Sequence, residues 1–174
     1  MIWNYLKDKK SVDIIKKNPE RGLVYMAKPV GVVGAIQPCT NPVVTPMMNS
    51  MSALKGRNAI IISPHPASVK CSVKTVEMIN EALDKIGAPK NLVQIIPEAS
   101  VQASADLMKA CDVVVATGGP GMVKAAYSSG KPSLGVGAGN TQVIIDRDVD
   151  ITEAVPMIIN GRKFDNGIIC SGEQ

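Results

Sequence analysis

Five short apolar runs punctuate the chain: Val30–Ile36, Ala59–Ile62, Val93–Ile96, Val113–Ala116 and Val143–Ile145. They are continuous rather than alternating and rich in Val and Ile. That pattern predicts strands covered on both faces, as in a parallel sheet. Between them the period changes. Val73, Val76, Ile79, Leu83 and Ile86 recur every three or four residues, which predicts a helix with one apolar stripe, stopped by Gly87 and Pro89. A helical stretch runs from about Val43 to Leu54, with Pro42 and Pro46 suited to its first turn. Ser100 is placed to cap a short helix through Leu107 and Met108. Asp150 with Glu153 forms a capping-box-like start to a helix carrying Ile151, Ala154, Val155, Ile158 and Ile159. Met1–Glu20 is polar and weakly patterned.

Alternating strands and helices imply right-handed βαβ units. The expected fold class is therefore α/β: a Rossmann-like open, mostly parallel sheet with helices on both faces. Residues 1–22 are expected to form an N-terminal segment and 23–163 a nucleotide-binding domain, with 164–174 a loop that opens a further domain. In such sheets ligands sit beyond the carboxyl ends of the strands, so the residues just after each strand carry the functional interest.

Composition narrows the classes. The 174 residues are 45% hydrophobic and 20% charged, as in a globular domain, and only 3% aromatic, so the core must be aliphatic. A net charge of +4, without a clustered basic face, argues against a nucleic-acid partner. Lys7, Lys9, Lys10, Lys16 and Lys17 read first as a solvated segment and second as a phosphate-attracting one. No apolar run reaches the roughly 20 residues of a membrane span, so no membrane partner is expected. A cytoplasmic setting is the default for four cysteines without paired spacing. The single histidine, His65, argues against a histidine-based metal site, and none is expected.

Three loops carry candidate chemistry. Asn41 stands where a helix cap would, and its amide NH2 is also suited to stabilise a developing oxyanion. Thr117-Gly118-Gly119-Pro120-Gly121 lets backbone N–H groups approach a pyrophosphate, or is an ordinary turn; it lacks the G-x-G-x-x-G spacing. Gly135, Gly137 and Gly139 alternate, so something packs close to that backbone, either a flat ligand or a neighbouring strand. Cys170 lies among small and turn-forming residues; taken alone, each of Cys39, Cys71, Cys111 and Cys170 reads as an inert buried thiol.

Read together, five stretches resemble the aldehyde dehydrogenase superfamily, and within it the coenzyme A-acylating branch. They are Lys28–Pro42 (KPVGVVGAIQPCTNP), Ile62–Pro66 (ISPHP), Ala116–Gly119 (ATGG), Ser129–Asn140 (SGKPSLGVGAGN) and Phe164–Gln174 (FDNGIICSGEQ). The resemblance implies that Cys170 is the nucleophile and Asn41 the oxyanion-hole amide. It places Pro38, Thr40, Ser63, His65, Gly118, Gly119 and Gly137 along a cleft for NAD or NADP. Hydrolytic members carry a glutamate where Gly135 stands, a lysine where Ser63 stands and a glutamate where Pro66 stands. Without the first, the enzyme thioester lacks a base to activate water. A thiol acceptor, of pKa about 8.5 against about 15.7 for water, needs far less activation, so coenzyme A is the implied co-substrate.

The implied reaction is aldehyde + CoA + NAD(P)+ to acyl-CoA + NAD(P)H, reversible, with a lean towards succinate semialdehyde and a homo-oligomeric parent enzyme. Relatives are more than twice as long, so the chain is expected to be a fragment, inactive alone, ending just past its nucleophile. The alternatives are a non-catalytic nucleotide-binding module and a glutamate-5-semialdehyde-type reductase.

Overall fold

The computed structural model describes residues 2–139, 141–170 and 172. Asn140, Ser171, Glu173 and Gln174, which belong to two of the matching stretches, lie outside the described residues. The chain divides into two compact units, Met1–Val136 and Gly137–Gln174.

In the first unit five parallel strands lie in the order β5-β4-β3-β6-β7. They are β3 (Val32–Ile36), β4 (Ala59–Ser63), β5 (Val93–Ile95), β6 (Val113–Thr117) and β7 (Ser133–Val136). The chain therefore starts mid-sheet, winds outward through β4 and β5, and returns to add β6 and β7 on the other side of β3. Helices α2 (Val44–Lys55) and α3 (Val69–Lys85) make the first two crossovers, and α4 (Val101–Ala110) and α5 (Pro120–Tyr127) the last two. Each pair builds its own core against the sheet. Val33, Ala35, Ala53, Ile60, Ile62, Val76 and Val93 form one, and Ile36, Leu107, Met108, Cys111, Val114, Ala116 and Ala126 the other. Two-sided cover is why these strands read as unbroken apolar runs.

Sequence signals and observed ends agree where a physical stop exists. Gly87 takes a left-handed φ of 68° just beyond α3, and its N–H donates to the Asp84 carbonyl. Ile86, read as the end of the apolar stripe, instead is the residue between the end of α3 and that stop, and is 77% exposed. Ser100 Oγ accepts from the Ala103 N–H at 3.0 Å, the expected cap. The lower ends of the strands are clamped by side chains: Asn58 Oδ1 accepts from Val30 N at 2.6 Å, and Asp112 Oδ2 from Val32 N at 2.8 Å.

Three expectations change. The weakly patterned start holds α1 (Ile2–Leu6) and β1 (Asp13–Asn18), which pairs antiparallel with β2 (Leu23–Ala27) in a separate two-stranded sheet. A boundary at residue 23 would cut this hairpin in half; its signal is weak because both faces are largely exposed. Gly135 and Val136, read as the start of a glycine-rich loop, instead end the strand Ser133–Val136. Val143–Ile145 forms no strand: its side chains are exposed and it has no ladder partner among the described residues. A short apolar run without a neighbouring edge to pair with has no reason to extend as one.

The second unit contains α6 (Ile151–Lys163), begun by Asp150, whose Oδ1 accepts from Thr152 N at 2.8 Å and from the Thr152 hydroxyl at 2.6 Å.

Candidate functional site

The strand order reverses between β3 and β6, and a cleft opens there, beyond the carboxyl ends of β3, β4 and β6. Its volume is about 290 Å3, near the lower end of small-molecule sites. One wall is Ile36-Gln37-Pro38, a second Pro64-His65-Pro66, and a third Thr117-Gly118-Gly119 running into α5, with Ser100, Val101 and Ser104 of the α4 start closing it.

Of the residues expected along a cofactor cleft, Pro38, His65, Gly118 and Gly119 line this one. Thr40 lies in the following loop, outside the lining, and Gly137 belongs to the second unit. Ser63 is buried behind the wall, its Oγ 2.8 Å from Ser104 Oγ. Ser104 spends its single proton on the Ser100 carbonyl at 3.0 Å, so Ser63 must be the donor between the two hydroxyls. Ser104, which faces the cleft, had no sequence signal beyond its place on α4. Gln37 was missed too: it is 3% exposed, lines the cleft, and both of its amide atoms lack a protein partner among the described residues. A polar residue ending an apolar strand was the available signal.

The glycines of the third wall suit a ligand. A Cβ at Gly119 would meet nothing within 4 Å, and at Gly118 only ordinary contact with Met122, so no protein neighbour demands glycine at either position. What a side chain there would take up is open space in the cleft, the room a dinucleotide phosphate needs to reach backbone N–H groups.

Asn41 serves as a cap. Its Oδ1 accepts from Val44 N at 3.1 Å, and Thr45 N donates to its carbonyl at 3.3 Å. That bond engages the oxygen of the amide and not its two Nδ2 donors. The two readings of Asn41 are thus compatible.

Gly135 and Gly139 show what packs against the third glycine-rich segment, while nothing lies within 4 Å of a Cβ on Gly137. A Cβ on Gly135 would stand 2.8 Å from Val123 Cγ1 and 2.9 Å from Tyr127 Cε2, and Gly135 N donates to Tyr127 Oη at 3.2 Å. The neighbour is α5, and a side chain at Gly135 would have to displace those of Val123 and Tyr127. A Cβ on Gly139 would lie 2.6 Å from the Cys170 carbonyl oxygen. Cys170 itself is exposed, at the end of a turn in which Asp165, Asn166 and Gly167 all take left-handed φ. Cys39 and Cys71 are exposed as well, contrary to the buried reading, because one sits on the β3–α2 loop and the other on the outer face of α3. Cys111 alone is buried; burial pushes its thiol up from the usual value.

The model of the aldehyde dehydrogenase family matches residues 3–174, nearly the whole chain. The chain belongs to the aldehyde dehydrogenase family. It is 61% identical over 173 residues to a succinate-semialdehyde dehydrogenase (acetylating) of Clostridium kluyveri, covering 99% of this chain and 38% of that protein. It superposes on the crystal structure of an acetylating aldehyde dehydrogenase from Geobacillus thermoglucosidasius with a TM-score of 0.90 and 45% identity, over 99% of this chain and 38% of that one. A propionaldehyde dehydrogenase from Rhodopseudomonas palustris, solved with bound CoA and an acylated cysteine, matches at TM-score 0.78 and 39% identity, over 95% and 37%. The chain thus spans under two fifths of the length of these aldehyde dehydrogenases. Among the described residues no helix is long and apolar enough to cross a membrane.

Proposed function

We propose that this chain is the nucleotide-binding portion of a CoA-acylating aldehyde dehydrogenase, with Cys170 as nucleophile and Asn41 as oxyanion donor. The observation that carries the reading is Gly135. No carboxylate stands at this position, where the resemblance places the water-activating glutamate of hydrolytic members, and a Cβ there would meet Val123 Cγ1 at 2.8 Å and Tyr127 Cε2 at 2.9 Å, so a larger side chain would have to displace both.

The Cys170 thiolate attacks the aldehyde carbonyl carbon, forming a C–S bond and an alkoxide. The Asn41 Nδ2 donors, oriented by the cap at Oδ1, hydrogen-bond to that oxyanion. A nicotinamide, when bound, supplies the hydride acceptor that takes the chain from thiohemiacetal to thioester. Pro38, His65, Gly118 and Gly119 hold its nucleotide end in the cleft, with Ser63 supporting the wall through Ser104. Coenzyme A sulfur then attacks the thioester carbonyl, a C–S bond to Cys170 breaks, and the thiolate is regenerated. NAD or NADP serves as cofactor, and the substrate is a small aldehyde or, in reverse, its acyl-CoA. The 61% identity to a protein named for succinate semialdehyde supports that substrate. A cytoplasmic, homo-oligomeric parent enzyme completes the reading.

The test places this chain in the matching segment of the Clostridium kluyveri relative and follows NAD(P)H formation from aldehyde. Oxidation should depend on added coenzyme A; equal rates with and without it would refute the acylating assignment. A purely nucleotide-holding role predicts cofactor binding with no preferential acylation of Cys170, which mass spectrometry after exposure to acyl-CoA distinguishes.

A further inference from the structure

Attack on a carbonyl needs more than an exposed thiol. The sulfur must reach the carbon from a direction that also brings the growing oxyanion to its donors, and a misplacement of about 1 Å can cost about 100-fold in rate. A segment carrying such a thiol has to be held. Along the chain, Ile168 N donates to the Asp165 carbonyl at 3.1 Å, and Gly172 N to the Ile169 carbonyl at 3.2 Å, so a turn lies before Cys170 and another around it. The guanidinium of Arg162, in the last turn of α6, fills the space that a side chain on Gly167 would take.

Across from this segment stands Gly139, in the same compact unit. The three atoms nearest to a Cβ placed there all belong to Cys170: its carbonyl oxygen at 2.6 Å, its Cβ at 3.3 Å and its carbonyl carbon at 3.5 Å. Ordinary contact begins near 3.4 Å, so the oxygen would be about 0.8 Å too close. Gly139 does not take a left-handed φ, so its own backbone does not call for glycine. Glycine at this position supplies room for Cys170. A backbone carbonyl cannot swing aside as the tip of a long side chain can, so an added methyl must move the peptide that carries the thiol or the segment that carries Gly139.

We infer that Gly139 is a positioning residue for the nucleophile: the Cys170 backbone seats against a residue with no side chain, and that seat sets where the sulfur stands. The inference rests on the reading of Cys170 as nucleophile. It is tested with G139A in the chimera built on the Clostridium kluyveri relative. Acylation of Cys170 by an acyl-CoA, timed by mass spectrometry, should slow by about 10- to 100-fold, and kcat should fall with it. The KM for NAD(P)+ should change by less than about threefold. Alkylation of Cys170 by iodoacetamide, which needs no oxyanion donor, should also change by less than about threefold. A merely structural role would not split the two reactions of one thiol. Equal acylation in G139A and the parent overturns the inference, and so does a parallel loss of acylation and alkylation. A measurement without substitution stands beside these and decides the matter if G139A does not fold. In crystals of the parent chimera, free and acylated, the Cys170 carbonyl should keep its place against Gly139 to within about 0.5 Å; a carbonyl that leaves Gly139 on acylation overturns the inference. A parent chimera that acylates elsewhere than Cys170, or not at all, overturns the nucleophile reading itself.

Discussion

Asn41 does two jobs with the two ends of one amide, and substitution separates them. Asn41→Asp keeps the acceptor that caps α2 and removes the Nδ2 donor. Asn41→Ala removes both. The Asp variant should therefore melt near the parent temperature yet lose roughly 100- to 1,000-fold in acyl-forming rate in the chimeric enzyme. The Ala variant should lose the rate and about 1 kcal/mol of stability as well. A normal rate in Asn41→Asp would remove Asn41 from the chemistry. The cysteines divide in the same way. Cys111 is 1% exposed, its Sγ is 3.7 Å from the Met108 carbonyl, and burial disfavours its thiolate. Alkylation of the folded chain should modify Cys111 at least about tenfold more slowly than Cys39, Cys71 or Cys170, and denaturant should erase the difference. Acylation by an acyl-CoA should single out Cys170 from the other exposed thiols.

At the scale of elements, glycines set how closely helices approach the sheet. A Cβ on Gly34 of β3 would stand 2.7 Å from Cys111 Sγ and 3.2 Å from Leu107 Cγ on the α4 side. Gly34→Ala should cost about 1–3 kcal/mol through overpacking, read as a lower Tm, and Cys111→Ala in the same chain should recover part of it. Gly135→Glu is the sharper case. Introducing the hydrolytic carboxylate should not produce a hydrolase, because the side chain meets Val123 and Tyr127 first; the expected result is a destabilised α5–β7 pair with no gain in thioester hydrolysis. For α6, the Thr152 hydroxyl and then its N–H hold the Asp150 carboxyl below the usual carboxylate range. A depressed folded value means that this stabilisation is present above the ordinary carboxylate value and disappears as pH falls through the lower folded one. Asp150→Ala should therefore fray the start of α6 at neutral pH and make little difference in strong acid, as followed by helical circular dichroism.

On the scale of the molecule, function gathers at one edge of the sheet. The start of β3, away from the cleft, is clamped by Asn58 from the residue before β4 and by Asp112 from the residue before β6, while the opposite ends of β3, β4 and β6 open into the loops that carry Pro38, Asn41, His65 and Gly118. The α/β class, the two-sided cover of the strands, the helix caps at Ser100 and Asp150 and the stop at Gly87 were all determined by the sequence alone. They rest on periodicity and on backbone chemistry within a few residues. The family was legible for a different reason: its motifs are contiguous stretches. What the tertiary structure decided are facts about residues far apart in the chain. That Ser63 backs the wall while Ser104 faces the cleft depends on a hydroxyl contact across 41 residues. The hairpin of β1 and β2 hid because neither strand has a consistently buried face, and Val143–Ile145 misled because an apolar run becomes a strand only beside another. What lies against Gly135 is a tyrosine eight residues away, brought back over it by the turn between α5 and β7. Local pattern selects the elements; only folding determines which side chains are left facing the ligand.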